Sequence, residues 1–271
     1  MTILVFGLLG LIIGSFLNVI VLRKGARPIT GRSSCMSCGY TLHWYDLIPI
    51  VSWLALRGRC RKCGSCVSIQ YPLVEASTAI LFALLAPISI IGFSLPFPID
   101  ILFVLDYLAI VAFLVAIAAY DFLHTIIPDG WAYSFGALAF VSQLLTPLPI
   151  DFPWMQFFLA GPIAASPLFF LWLVSGGRWM GLGDAKLSLG IGWLLGPIVG
   201  LEAVMFSFIL GTVILVPLML AERAITHMRG FSVAVRGLTM KSEVPFGPFL
   251  ILSCLIFWFA QLYGVQLPLP F

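Results

Sequence analysis

Charge is what this sequence has least of. Only 9% of its 271 residues are Asp, Glu, Lys or Arg, against about 25% in soluble domains. With 61% of the chain hydrophobic, no soluble core could hide so much apolar surface, and the composition predicts a polytopic membrane protein. A net charge of +3 is too small for a nucleic-acid footprint, so no nucleic acid is expected as a partner. The first apolar run lacks a basic stretch ahead of it and a small-residue cleavage site behind it. It is also too long for the core of a signal peptide, so it reads as a retained transmembrane helix. No G-x-G-x-x-G string of the Rossmann type occurs, and no inverted repeat stands out.

What is present falls into blocks. Charge-poor runs lie near 2–22, 75–95, 101–120, 131–149, 154–175, 187–201, 203–221 and 246–265. Most have the length a helix needs to cross a hydrocarbon core of about 30 Å. The sixth is short and glycine-rich, which suggests a tilted, broken or re-entrant element. The expected fold is therefore all-α, with about eight transmembrane helices. All 14 Lys and Arg fall in three loops. Arg23, Lys24, Arg27, Arg32, Arg57, Arg59, Arg61 and Lys62 follow the first span, and Arg178 and Lys186 follow the fifth. Arg223, Arg229, Arg236 and Lys241 follow the seventh. Eight spans put these loops on one side, which the positive-inside rule makes cytoplasmic, with both termini periplasmic. Asp100, Asp151 and Glu202 mark the opposite connections.

Two aspartates stand at the cytoplasmic ends of spans. Asp184 sits in Met180-Gly-Leu-Gly-Asp-Ala-Lys186, and Asp121 ends the third span in Tyr120-Asp-Phe-Leu-His-Thr-Ile-Ile-Pro-Asp129. A carboxylate so near an embedded run is expensive and points to function. Two at one depth can share a proton, which supplies the acid and the base of an aspartyl hydrolase. The plainer alternative makes Asp184 the N-cap of a helix starting at Ala185. His124 could hydrogen-bond Asp121 or be merely interfacial, and Asp129-Gly130 reads as a turn or a helix cap. Lys186 could act on Asp184 or anchor its span at the headgroups.

The long polar segment, 23–71, is too short for a conventional core. It carries Cys35-Met-Ser-Cys38 and Cys60-Arg-Lys-Cys63, with 21 residues between the pairs. Two C-x-x-C knuckles at such a separation, each followed by a glycine, predict a structural zinc held by four thiolates. Disulfides are the rival, disfavoured in a cytoplasmic loop. Cys66 leaves a Cys63/Cys66 second pair open. Cys254, within the last span, reads as a small apolar filler. Three regions follow: helix 1–22, a cysteine module at 23–72, and a membrane bundle at 73–271.

The combination resembles the bacterial type IV prepilin peptidases, the bifunctional leader peptidase/N-methyltransferases of type IV pilus and type II secretion systems. The resemblance rests on Gly14-Ser-Phe-Leu-Asn18, Leu47-Ile-Pro-Ile-Val-Ser-Trp-Leu54, Arg57-Gly-Arg-Cys60-Arg-Lys-Cys63 and Tyr71-Pro-Leu-Val-Glu75. It continues through Asp121, Ile127-Pro-Asp129, Gly181-Leu-Gly-Asp184 and Pro245-Phe-Gly-Pro248. It implies a GxGD-type aspartyl protease with Asp121 and Asp184 catalytic, and Cys35, Cys38, Cys60 and Cys63 on zinc. It also implies prepilins or pseudopilins as substrates at the bacterial inner membrane, and S-adenosylmethionine as methyl donor, with Glu75 lining its pocket. Asp46, Gln70 and Cys66 depart from the family pattern, all within the segment associated with methylation. Two other readings are an ion- or proton-coupled transporter with a zinc-stabilised loop, and an aspartyl protease acting on a different substrate.

Overall fold

The computed structural model of the protein describes residues 1–24, 28, 30–91, 99–145, 154–229 and 245–265. Arg27, Arg236, Lys241 and Asp151 lie outside the described residues. The helices are α1 (Thr2–Arg23), α2 (Val51–Ala55), α3 (Gln70–Ile91), α4 (Ile99–His124) and α5 (Asp129–Leu145). They continue with α6 (Trp154–Ser175), α7 (Leu182–Leu195), α8 (Pro197–Arg229) and α9 (Gly247–Leu262), and a 3-10 turn covers Trp44–Leu47. Among the described residues, α1, α3, α4, α6 and α8 contain stretches long and apolar enough to cross a membrane, and α9 is apolar but shorter. The chain is an all-α polytopic membrane protein. It forms two compact units, Met1–Tyr120 and Asp121–Phe271.

The sixth and seventh spans differ from their expected bounds of 187–201 and 203–221. The helix begins earlier, at Leu182, and stops at Leu195, and the next one starts at Pro197. Gly196 takes φ +89°, a conformation that suits glycine at a helix end, and Pro197 is preset for the first helical position. Glu202, expected in a connection, therefore lies inside α8.

In the first unit, α1 and α3 pack along a glycine seam. A Cβ on Gly14 would stand 2.8 Å from the Glu75 Cα, and one on Gly10 would stand 2.6 Å from the Ala79 Cα. Gly10 and Gly14 form the small-xxx-small spacing that lets membrane helices approach so closely. At the polar end of the seam the buried Asn18 Nδ2 donates to the Tyr71 carbonyl at 3.1 Å.

In the second unit α7 is the central element. Its 14 residues span about 21 Å, yet Ala185, Leu187, Ser188, Gly190, Ile191, Gly192, Leu194 and Leu195 are all buried. A Cβ on Gly190 would come 3.1 Å from the Gly136 Cα of α5. Helix ends expose carbonyls that an apolar surrounding cannot satisfy. Here Gln143 of α5 donates to the Leu194 carbonyl and Gln261 of α9 to the Leu195 carbonyl, each at 3.1 Å. Two isolated glutamines in apolar helices thus close the end of a short buried helix.

Candidate active site and metal centre

Asp121 lies in the last turn of α4 and is buried, 3% exposed. Its Oδ2 accepts a hydrogen bond from the Gly247 N–H at 3.0 Å. Gly247 is the first residue of α9, so this N–H is one that the helix itself leaves unused. A side chain here would displace the carboxyl, since a Cβ would stand 2.6 Å from Asp121 Oδ2. The Pro245-Phe-Gly-Pro248 string, matched in sequence without a role, thus supplies the donor that holds one oxygen of Asp121.

Asp184 is the third residue of α7, behind Gly181 at the N-cap, so it is not the cap residue of a helix beginning at Ala185. The carboxyl of Asp184 feels the charge of Asp121, which brings together two groups 63 positions apart in sequence. Ile127 fills the space beside them. It would meet a Cβ on Gly183 at 3.0 Å and one on Gly247 at 3.3 Å. Both glycines leave room for this one side chain to sit between α7 and α9.

Of the two neighbouring polar residues, Lys186 has its partner in α5. Lys186 Nζ pairs with Asp129 Oδ2 at 2.7 Å and lies over the Tyr133 ring at 5.5 Å. This pairing is neither of the alternatives read from sequence, and it ties the start of α5 to the start of α7. His124 is exposed.

Gly247→Ala should push Asp121 off its donor while leaving the α9 backbone conformation allowed. Misplacement of a reacting group by about 1 Å can cost up to ~10²-fold, so cleavage by this variant should fall by an amount approaching that. Initial rates on a peptide substrate, compared with an unchanged melting curve, check it.

The first unit holds the two cysteine knuckles. The knuckles repeat one another. The Cys35 N–H donates to Tyr40 O and the Gly39 N–H to Cys35 O, while Cys60 donates to Ser65 O and Gly64 to Cys60 O, all at 2.9 Å. Gly39 and Gly64 both take φ +70°, where a side chain would be strained. The sulfurs of Cys35, Cys38, Cys60 and Cys63 lie within 4.8 Å of one another, and Cys66 is outside the group. The Cys35–Cys63 Sγ separation is 3.8 Å, about the edge of a tetrahedron with Zn–S bonds near 2.3 Å. The donor set therefore fits zinc. Backbone N–H groups of Cys38 and Ser37, with the Ser65 hydroxyl, pull the Cys35 thiol down to about 6. Cys38 goes the other way. The Tyr40 amide lowers it, but burial and the neighbouring thiols carry it to about 11. Four thiols this close cannot all ionise unaided, and a divalent cation removes that conflict.

Asp46, one of the departures from the expected pattern, is buried with its carboxylate matched. It accepts from Arg61 Nε at 2.8 Å and from the His43 N–H at 3.2 Å. Arg61 belongs to the second knuckle, so this pair fastens that knuckle to the 3-10 turn. Glu75 is also committed. Its Oε2 accepts the Ile50 N–H at 2.7 Å, and the Ser15 hydroxyl bonds the same carboxyl group. Ile50 has φ +60°, unusual for a β-branched residue, and the Glu75 bond holds it there. One helical turn along the seam, Asn18 Oδ1 is buried without a partner. That unused acceptor suits an N–H donor from a ligand, such as the ammonium of S-adenosylmethionine.

The Bacterial Peptidase A24 N-terminal domain model matches residues 8–88, and the Type IV leader peptidase family model matches residues 108–216. A prepilin leader peptidase/N-methyltransferase of Vibrio cholerae is 29% identical over 275 residues, covering 95% of this chain and 96% of the relative. Its counterpart in Pseudomonas aeruginosa is 28% identical, covering 96% and 90%. The protein of that name from Klebsiella pneumoniae is 31% identical, covering 69% and 82%. No solved structure matches the chain. With both halves matched in order and relatives aligned along nearly its whole length, the chain belongs to the type IV leader peptidase family.

Proposed function

We propose that this protein cleaves the short basic leader from type IV prepilins or pseudopilins at the cytoplasmic face of the bacterial inner membrane, then N-methylates the new N-terminal residue. One observation supports the reading: Asp121, in the last turn of α4, and Asp184, in the first turn of α7, lie near enough for the charge of one to act on the other, within the stretch matched by the leader peptidase model. Family membership gives the transporter alternative no support.

The chemistry follows from two carboxyls holding one proton. The ionised member takes a proton from water as the water oxygen attacks the scissile carbonyl. The protonated member polarises that carbonyl and passes its proton to the departing amine as the C–N bond breaks. Gly247 fixes Asp121 Oδ2, leaving Oδ1 for the reacting groups. Cys35, Cys38, Cys60 and Cys63 would hold a zinc with no open position, which supports folding of the loop rather than catalysis. S-adenosylmethionine, when bound, supplies the methyl group. We assign Glu75 and Asn18 to its side of the protein, with Glu75 also holding the Ile50 turn.

Mass spectrometry of the substrate's N-terminal peptide tests both activities at once. Cleavage should proceed without S-adenosylmethionine and yield an unmethylated product, because the amine to be methylated exists only after the leader leaves. Glu75→Gln should lower methylation while cleavage stays near wild type, and its KM for S-adenosylmethionine should rise. Cleavage that strictly required the methyl donor would overturn this separation.

A further inference from the structure

We propose that the segment from the 3-10 turn through α2 is an interfacial anchor, seated in the headgroup layer of the leaflet on its own side and selective for anionic lipid. This inference rests on the membrane assignment and not on the proposed activity.

The first observation is depth. The membrane-crossing stretch of α3 begins at Gln70, and Glu75 lies five residues further, about 7.5 Å along the axis. The Ile50 N–H reaches the Glu75 carboxylate at 2.7 Å. Side chains on a helix lean toward its N-terminus, so this bond holds Ile50 level with the first turns of the span. The segment is also fixed rather than loose. Asp46 is clamped by Arg61 and His43, and Trp53 Nε1 donates to the Val67 carbonyl at 3.2 Å.

The second observation is what this fixed segment leaves outside. Trp44 is 77% exposed, and Leu47, Ile48, Val51 and Leu54 are exposed with it. Val51 and Leu54 stand three apart on one face of α2, while Trp53 turns inward. Soluble surfaces seldom leave so many large apolar groups together. At headgroup depth the same set is favourable, with tryptophan at the interface and aliphatic groups in the acyl boundary.

The third observation is charge. Arg57, Arg59 and Lys62 belong to the adjoining second knuckle, and Arg59 and Lys62 are exposed. The single acid in residues 30–69 is Asp46, which is buried against Arg61. Nothing acidic is left there to meet a basic partner, such as a prepilin leader, whereas an anionic lipid surface complements both the cations and the apolar ridge.

The test uses the full chain labelled with fluorotryptophan in lipid nanodiscs, with the Trp44 signal identified by its loss in Trp44→Phe. A nitroxide attached to lipid near the headgroup should abolish the Trp44 fluorine signal, and an aqueous relaxation agent should leave it intact. The loss should be greater in discs containing phosphatidylglycerol than in phosphatidylcholine alone. Arg59→Gln with Lys62→Gln should erase that difference. A Trp44 signal abolished only by the aqueous agent would put the segment in water and overturn the proposal. Protection from both agents would mean that protein covers the segment, and would overturn it equally. Equal loss in the two lipids would overturn the anionic selectivity.

Discussion

Asp121→Asn and Asp184→Asn should each lose leader cleavage, by about 10²–10⁴-fold or more, since each removes a group that must exchange a proton. Asparagine keeps the shape of the carboxyl and can still accept the Gly247 N–H bond that Asp121 accepts at 3.0 Å. The fold should therefore survive, and the loss belongs to chemistry. The expected accompaniment is an unchanged zinc content, because Cys35, Cys38, Cys60 and Cys63 lie in the other unit. Asp184→Asn given a pre-cleaved substrate should still methylate it. Near wild-type cleavage by either purified variant would remove that residue from the mechanism.

The second large effect is on the metal. Elemental analysis should find about one zinc per chain, and Cys60→Ser should lose it. Apparent zinc affinities of structural Cys-rich sites correspond to roughly 10–16 kcal/mol, more than so small a loop could replace by packing alone. Cys60→Ser should accordingly leave the loop open to proteolysis and stop methylation. Cys66→Ser should keep its zinc, since Cys66 lies outside the group of four sulfurs. Metal retained in Cys60→Ser but lost in Cys66→Ser would shift the second knuckle by three residues.

Much of the architecture is legible in the sequence because it is written locally. Apolar runs set the helices, and glycine after each cysteine pair sets the knuckles. The nearness of Asp121 to Asp184 is legible from depth alone, two acids at matching ends of spans. Other features depend on contacts between segments distant in sequence. Nothing local marks Gly247 as the donor to Asp121, because a glycine beside prolines reads as a turn. The contact exists only because α9 reaches the end of α4. Gln143 and Gln261 are stray polar residues in sequence, and their role is set by the end of α7, which needs two donors. The sixth span differs from its expected bounds because hydropathy does not register a break at Gly196-Pro197 when both sides are equally apolar. Asp106 is hidden inside an apolar run, and the structure buries it within α4. Lys186 has Asp184 and the headgroups as its near neighbours in sequence, whereas its partner Asp129 lies 57 positions away.

The central claim, that the two aspartates work as one unit, is tested most directly by the leader-cleavage rate of the double variant Asp121→Asn/Asp184→Asn beside each single. Groups that serve one step together are grossly non-additive, and removing the second costs little once the first is gone. The double variant should be as slow as the slower single, with no further drop. A double variant slower by the product of the two separate losses would show two independent contributions and contradict a shared-proton pair.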